Sequence, residues 1–346
     1  MGTERSRRAL LGQGGAIVAG GILGGGGRRK EEPDETTPVA LGVFVPGAPA
    51  NLRRLDGFVT KVGRMPAFVH WYEAWGSATS VTGEIVRGAW LETVGRRGAT
   101  PLITWEPWDP TAGTDQPAYA LEIVSRSDFD AYINSWAYRL AAHGAPVYLR
   151  FAHEMNAGWY PWGIGVNGTT TAGYLSAWRH LRQLFAAAGA TNVRWVWSPD
   201  AGSHGGPALA DVYPGDDLVD WVALDGYNWG TARPDTRWRG FGEVFARAYD
   251  EVLAFTDRPV MVAEMACSEQ GATRRRGSRR RSPSCRSTFP GCGRLGGSTR
   301  RPRPAIGRLR LRRPRWPPSR RRWRGRICGD GSRRRMPGEG RIWPPA

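Results

Sequence analysis

A (β/α)8 barrel lacking its eighth strand is the fold this sequence predicts, and three observations carry the prediction. Short apolar runs alternate with longer amphipathic ones from residue 39 to residue 264. The apolar runs are nearly continuous, as strands buried on both faces of a parallel sheet are. Polar residues gather where those runs end, at Glu106, Glu154, Asp200, Asp225 and Glu264. In such barrels the C-terminal ends of the strands carry the chemistry.

The elements follow in order. "VALGVFV" (39–45) reads as a buried strand, "APANLRRLDGFVTKVG" (48–63) as a helix and "PAFVHWY" (66–72) as the next strand. A helix over 82–98 closes at Gly98, and "TPLITWE" (100–106) is a strand. The helix over 127–144 takes Ser127 as its cap and Gly144 as its end, by the usual start and stop signals. "PVYLRFA" (146–152) is a strand, and 171–189 is a helix. Strands at 192–198, 219–225 and 258–264, with a helix at 241–255 before the last, complete seven strands of the expected eight.

The ends of the chain read differently. "SRRALL" (6–11) followed by a Gly-rich, moderately apolar stretch resembles a twin-arginine export signal. It is too short and too glycine-rich for a membrane span. Residues 28–38 read as a polar linker. Residues 1–38 are therefore expected to be signal and linker, 39–271 the barrel and 272–346 a separate Arg-rich tail, with secretion as the destination.

Charge divides along the same boundaries. Residues 274–346 hold 25 Arg, no Lys and two acids, a balance of +23. Residues 1–273 hold 24 Lys plus Arg against 29 Asp plus Glu, a balance of −5. The net +18 of the whole chain thus belongs to the tail and does not mark the body as a nucleic-acid binder. The tail has neither periodicity nor an apolar face, and it reads as a shifted frame. Out of frame, an arginine codon beginning CG yields Ala, Ser, Pro or Thr. With one base restored near Ala272 and permitted codons, "GATRRRGSRRRS" reads as G-G-D-K-A-A-W-I-A-E-A-L. "TFPGCGRLGGST" then reads as F-P-R-L-R-A-L-G-W-F-N. The first is an amphipathic helix and the second an apolar strand, in the order the barrel lacks. Without that strand, the first and seventh strands are expected to expose two edges.

Several chemistries are excluded. "GGILGGGGRRK" lacks the G-K-[ST] ending and preceding strand of a phosphate loop, and no G-x-S-x-G occurs. The five histidines show no metal-ligand spacing. Cys267, Cys285, Cys292 and Cys328 form neither a disulfide framework nor a zinc pattern. No cofactor is implied. What remains is the carboxyl group and an abundance of tryptophan, 17 in all, most of it between Trp71 and Trp238. Indoles offer flat apolar faces that suit sugar rings.

"RFAHEMNAGWYPWG" (150–163) combines both features. A core strand has no use for Glu154, and a solvated loop has none for Trp159, Tyr160 and Trp162. Glu154 follows the fourth strand and Glu264 ends the seventh. Alternation along a strand gives Arg150, Ala152 and Glu154 one parity, and Val260, Val262 and Glu264 another. Both glutamates are thus expected to point into the barrel mouth, with an ion pair to Arg150 as the structural alternative. Two facing carboxyls suit glycosidic cleavage: one protonates the leaving oxygen, and the other attacks the anomeric carbon or activates water.

"YLRFAHEMNAGWYPWG", "WVALDGYNWG" and "RPVMVAEMACSEQG" resemble glycoside hydrolase family 26, the family of many β-mannanases, in order and spacing from about residue 39 to 271. The resemblance implies a (β/α)8 barrel and hydrolysis that retains anomeric configuration. It implies Glu154 as acid/base, Glu264 as nucleophile and His153 as a contact to the sugar at the cleavage point. Trp159 becomes an aromatic wall, and Tyr227 holds the nucleophile by a hydrogen bond. Trp105, Trp108, Trp162 and Trp229 are assigned more loosely to the cleft walls. Retention needs carboxyls about 5–5.5 Å apart and an acid kept protonated near neutral pH. Ala157 replaces the usual glycine after H-E-M-N, a small change unless that position needs positive φ.

The expected function is a monomeric retaining endo-β-glycanase on β-1,4-linked mannan-type polysaccharide. The alternatives are a β-glucanase or β-xylanase on the same scaffold, or a dead carbohydrate-binding remnant left by the lost strand. Nucleic acid is not an expected partner; a genuine basic arm would show binding that falls steeply with salt.

Overall fold

The computed structural model describes residues 39–76, 86–202 and 204–268, together with the backbone of residues 17–20. Seven parallel strands form the sheet: β2 (Ala40–Phe44), β3 (Phe68–Ala74), β4 (Thr100–Glu106), β5 (Val147–Phe151), β6 (Val193–Trp197), β7 (Trp221–Asn228) and β8 (Val260–Cys267). Five helices of eight residues or more join them: α1 (Arg53–Val62), α2 (Gly88–Arg96), α4 (Asp130–His143), α5 (Thr171–Ala187) and α6 (Phe241–Leu253), with a single turn α3 (Leu121–Val124) before α4. Between β6 and β7 the described residues hold only a 3-10 turn, Leu209–Val212.

Local chemistry explains most boundaries. Gly63 and Gly144 close α1 and α4 in the left-handed conformation, at φ 79° and 69°. Thr170 caps α5 by accepting from the Gly173 amide at 3.0 Å. Ser127, expected from sequence to cap α4, is not its cap. It sits at φ 76° two residues before the cap position, Phe129, which makes no side-chain bond.

The sheet separates two apolar layers. Leu102, Val196, Ala223, Met261 and Ala263 form the inner cluster. The larger cluster lies between sheet and helices and contains Trp75, Trp105, Trp136, Trp178, Trp195 and Trp197. Much of the tryptophan is therefore core filler. β8 departs from the alternation read from sequence. Met261 and Ala263 belong to the inner cluster, whereas Val260 and Val262 pack on the outer one. A bulge opposite Leu224/Asp225 then pairs Asp225 with Glu264. That extra residue turns Glu264 to the inner side; plain parity would have sent it outward.

No eighth parallel strand is present among the described residues. The ring closes through β1 (Ile17–Gly20), antiparallel to both neighbours, with Ile17 opposite Val43 and Ala19 opposite Val262. The two open edges expected from sequence are thus partly covered, because unpaired strand edges template any extended segment within reach. The rest of the signal and linker region 1–38, the tail 272–346 and the proposed frame change lie outside the described residues. Deleting residues 1–38 is expected to uncover both edges. The melting temperature should fall by roughly 4 °C or more, at about 2–4 °C per kcal/mol for a domain of this size, with self-association visible by size exclusion. An unchanged, monodisperse chain would contradict this role for β1.

Candidate active site

Inward-facing residues of five other strands or strand ends converge on Arg150 of β5, which is wholly buried. Its Nε donates to Thr104 Oγ1 at 2.8 Å and its Nη1 to Asp225 Oδ2 at 2.7 Å. Nη2 donates to Glu264 Oε1. Ser198 adds a hydroxyl to Asp225 Oδ2 at 2.9 Å. Glu264 is held at both oxygens: Tyr72 donates to Oε1 at 2.7 Å and Tyr227 to Oε2.

The electrostatics follow. Burial alone raises Glu264, but Arg150, His153 and His70 outweigh it and hold the carboxyl well below the usual range. Burial pushes Asp225 well above its ordinary value despite the same arginine, and Glu264 adds to that push. One guanidinium faces two buried acids, and Glu264 keeps the charge. Burial, then Arg150, lowers His70 to about 3, so its ring is neutral. Thr104 Oγ1 accepts from Arg150, so its own proton points to His70 Nε2 at 2.7 Å.

Glu154 arrives by a strained turn. β5 ends at Phe151, after which Ala152 and Glu154 take φ 44° and 54°. Left-handed backbone at non-glycine residues costs on the order of 1–3 kcal/mol and clusters at functional sites. The Glu154 amide donates to Ser198 O at 2.7 Å, and Trp159 Nε1 donates to Glu154 Oε2 at 2.6 Å. Asn156 staples this loop to the end of β6: its Nδ2 donates to Asp200 O, and its Oδ1 accepts from Asp200 N, each at 2.9 Å. Ala157 is not among the positive-φ residues, so its methyl group carries no backbone strain.

His153 faces the nucleophile candidate Glu264. It adjoins Glu154, and its Nε2 lies 3.9 Å from Glu264 Oε1 and 3.0 Å from Tyr160 Oη. Behind it Tyr160 and Trp162 stack at 4.3 Å, and Trp162 Nε1 donates to His153 O at 2.6 Å.

The residues expected from sequence thus divide. His153 and Tyr227 meet Glu264, and Trp159 meets Glu154. Trp162 and Trp108 lie one layer back: Trp162 supports His153, and Trp108 packs edge-on against Tyr160 and Trp162. Trp105 is not a cleft wall. Its neighbours Thr104 and Glu106 are inward, so Trp105 points outward and packs, wholly buried, on Trp75 and Trp136. Trp229 carries the Arg233 guanidinium over its ring at 3.7 Å. Sequence reasoning missed Tyr72, His70, Thr104, Ser198 and the pairing of Asp225 with Arg150. The His70–Tyr72 alternation in "PAFVHWY" was the available signal. It also missed His204, whose Nε2 lies 2.6 Å from Asp200 Oδ1 and whose ring meets the Trp159 indole edge-on at 4.6 Å. Among the described residues, no group of three His, Cys, Asp or Glu is arranged to hold a metal, and no helix is long and apolar enough to cross a membrane.

Comparison with known proteins points one way. The family model for glycosyl hydrolase family 26 matches residues 83–257. Endoglucanase H of Acetivibrio thermocellus is 35% identical over 240 residues, covering 68% of this chain and 25% of that protein. Mannan endo-1,4-beta-mannosidase A and B of Caldalkalibacillus mannanilyticus is 34% identical over 139 residues, covering 38% and 24%. A solved Bacillus subtilis mannanase, BCman, is 21% identical, covering 63% of this chain and 67% of that one with a TM-score of 0.48. The chain spans about a quarter of the length of the curated relatives it matches.

Proposed function

The chain belongs to glycosyl hydrolase family 26, and from that premise we propose that it is a secreted, retaining endo-β-glycanase acting on β-1,4-linked mannan-type polysaccharide. Glu264 is the nucleophile and Glu154 the acid/base. The observation that carries this reading is the state of Glu264. It is a buried carboxylate kept anionic by Arg150 and oriented at both oxygens by Tyr72 and Tyr227. A nucleophile must be ionised and fixed in this way before it attacks. Glu154 is buried and oriented by Trp159, as a proton donor to the leaving oxygen requires. In the first step Glu264 Oε bonds to the anomeric carbon as the glycosidic C–O bond breaks, and Glu154 gives its proton to the departing oxygen. In the second, Glu154 takes a proton from water, which attacks the same carbon and releases Glu264.

β-Glucan is the second reading. It is favoured by the similarity to a protein named Endoglucanase H, which extends over 240 residues. Secretion rests on the Arg7–Arg8 pair, because the stretch that follows it includes β1 of the barrel. The decisive experiment incubates the full chain with mannan, lichenan and xylan and follows reducing-sugar release, with the product anomer read by NMR. Fastest release from mannan with the β-anomer first supports the proposal. Fastest release from lichenan supports the second reading. Binding without release from any of them overturns both and leaves the dead remnant.

A further inference from the structure

Asp200 and His204 lie beyond the end of β6, outside the cluster that Arg150 organises. Asp200 is held in place through its backbone, whose N–H and C=O both bond to the Asn156 side chain. Its Oδ1 accepts from the Gly202 amide at 2.7 Å and from His204 Nε2 at 2.6 Å. Asp200 is buried, whereas His204 keeps 29% of its side chain exposed. A side chain that exposed ordinarily keeps its rotamer freedom. The bond to a buried, anchored carboxylate takes that freedom away and fixes the imidazole ring.

Glycine permits the arrangement. A Cβ on Gly202 would lie 2.6 Å from His204 Nε2 and 2.8 Å from Asp200 Oδ1, so a side chain there would part the pair. A Cβ on Gly206 would lie 2.7 Å from Asn156 O, so the same segment passes close against the loop that carries Glu154.

The fixed ring meets the Trp159 indole edge-on, with centroids 4.6 Å apart and planes at 79°. Edge-to-face contact is a preferred geometry of two rings, because the positive edge of one meets the negative face of the other. Trp159 follows the exposed Gly158, so support from outside its own loop matters to where its indole points. That indole donates to Glu154 Oε2 at 2.6 Å. A single line of contacts thus runs from the end of β6 through Asp200, His204 and Trp159 to Glu154.

We infer that Asp200 and His204 are positioning residues for the acid/base, acting on Glu154 through the Trp159 indole. The inference rests on the acid/base reading of Glu154. With Oε2 held by the indole, the proton to be transferred sits on Oε1, and the angle of the carboxyl follows the angle of the indole.

The test measures kcat and KM of the full chain on the polysaccharide it cleaves fastest and on an aryl glycoside whose leaving group departs without a proton. His204→Ala should lower kcat on the polysaccharide by about 10–100-fold, the scale on which a small misplacement acts, with KM little changed. On the aryl glycoside its first-step rate should match that of the unmutated chain, because no acid is needed there. Gly202→Ala should reproduce this pattern without altering either side chain. The two changes together should cost no more than His204→Ala alone, since both break one line of contacts. The melting temperature reports that each variant is folded. An equal loss on both substrates, a rise in KM at unchanged kcat, or no loss at all overturns the inference. A second readout does not depend on turnover. The Trp159 indole N–H resonance, assigned with Trp159→Phe, should exchange with solvent faster in His204→Ala, and unchanged exchange overturns the inference. If exchange quickens but the unmutated chain releases no sugar, the hold on Trp159 stands and the acid/base reading falls.

Discussion

Glu264→Gln is expected to lower kcat by about 10⁴-fold or more, with KM changed little. Removing a covalent nucleophile leaves only the binding and electrostatic part of catalysis. Glutamine keeps the volume and can still meet Tyr72 and Tyr227, but it has no charge to attack the anomeric carbon. Glu154→Gln is expected to cost about 10²–10⁴-fold, the usual worth of a general acid. The two variants should part company on an activated aryl glycoside, whose leaving group departs without a proton. There Glu154→Gln should recover most of its first-step rate and accumulate the glycosyl-enzyme, since deglycosylation still needs a base. Glu264→Gln should recover nothing. Initial rates and intact mass of the trapped enzyme check both expectations. Equal losses on both substrates would remove Glu154 from the acid's position.

The contrast between these glutamates also explains what the sequence made legible. Glu154 follows a strand whose residues keep strict alternation up to Phe151, and the H-E-M-N segment marks it plainly. Glu264 was named for a parity argument that fails: Val260 and Val262 face the helices, and only the bulge in β8 brings Glu264 inside. A bulge is one extra residue with no sequence mark of its own, so period-two counting cannot see it. Trp105 failed the other way. Its strand, Thr100–Glu106, has the bounds read from sequence, but the family resemblance placed it loosely in the cleft wall. Its alternation with Thr104 and Glu106 placed it in the core. The residues around Arg150 were hidden because their partners come from strands up to 114 positions apart, a separation that no local pattern encodes. The antiparallel β1 was equally hidden. It answers an open edge in the fold, and its four residues read from sequence as part of the export signal.

Arg150→Met is expected to be the most destabilising single change in the barrel, costing about 3–5 kcal/mol, because it leaves the buried Glu264 carboxylate without its countercharge. Methionine fills much of the volume, so the loss is not chiefly a cavity. Urea unfolding at neutral pH measures it. The pH dependence identifies its source. Arg150 holds Glu264 below its ordinary 4.5, so the unfolded state binds the proton first as pH falls. The stabilisation from that pairing is full above about 4.5 and is lost as pH drops toward the folded value. The variant lacks this contribution, so the gap between the two proteins should narrow below that pH. Arg150→Met combined with Asp225→Asn should be no more stable than Arg150→Met alone, because Asp225 is already neutral beside Glu264 and asparagine still accepts from Ser198. It should regain none of the activity, since Glu264 still lacks the cation that keeps it ionised. A double variant markedly more stable than Arg150→Met would show instead that Asp225 carries charge in the folded protein. Without that gain, the whole cost belongs to Glu264, the group the proposed chemistry uses.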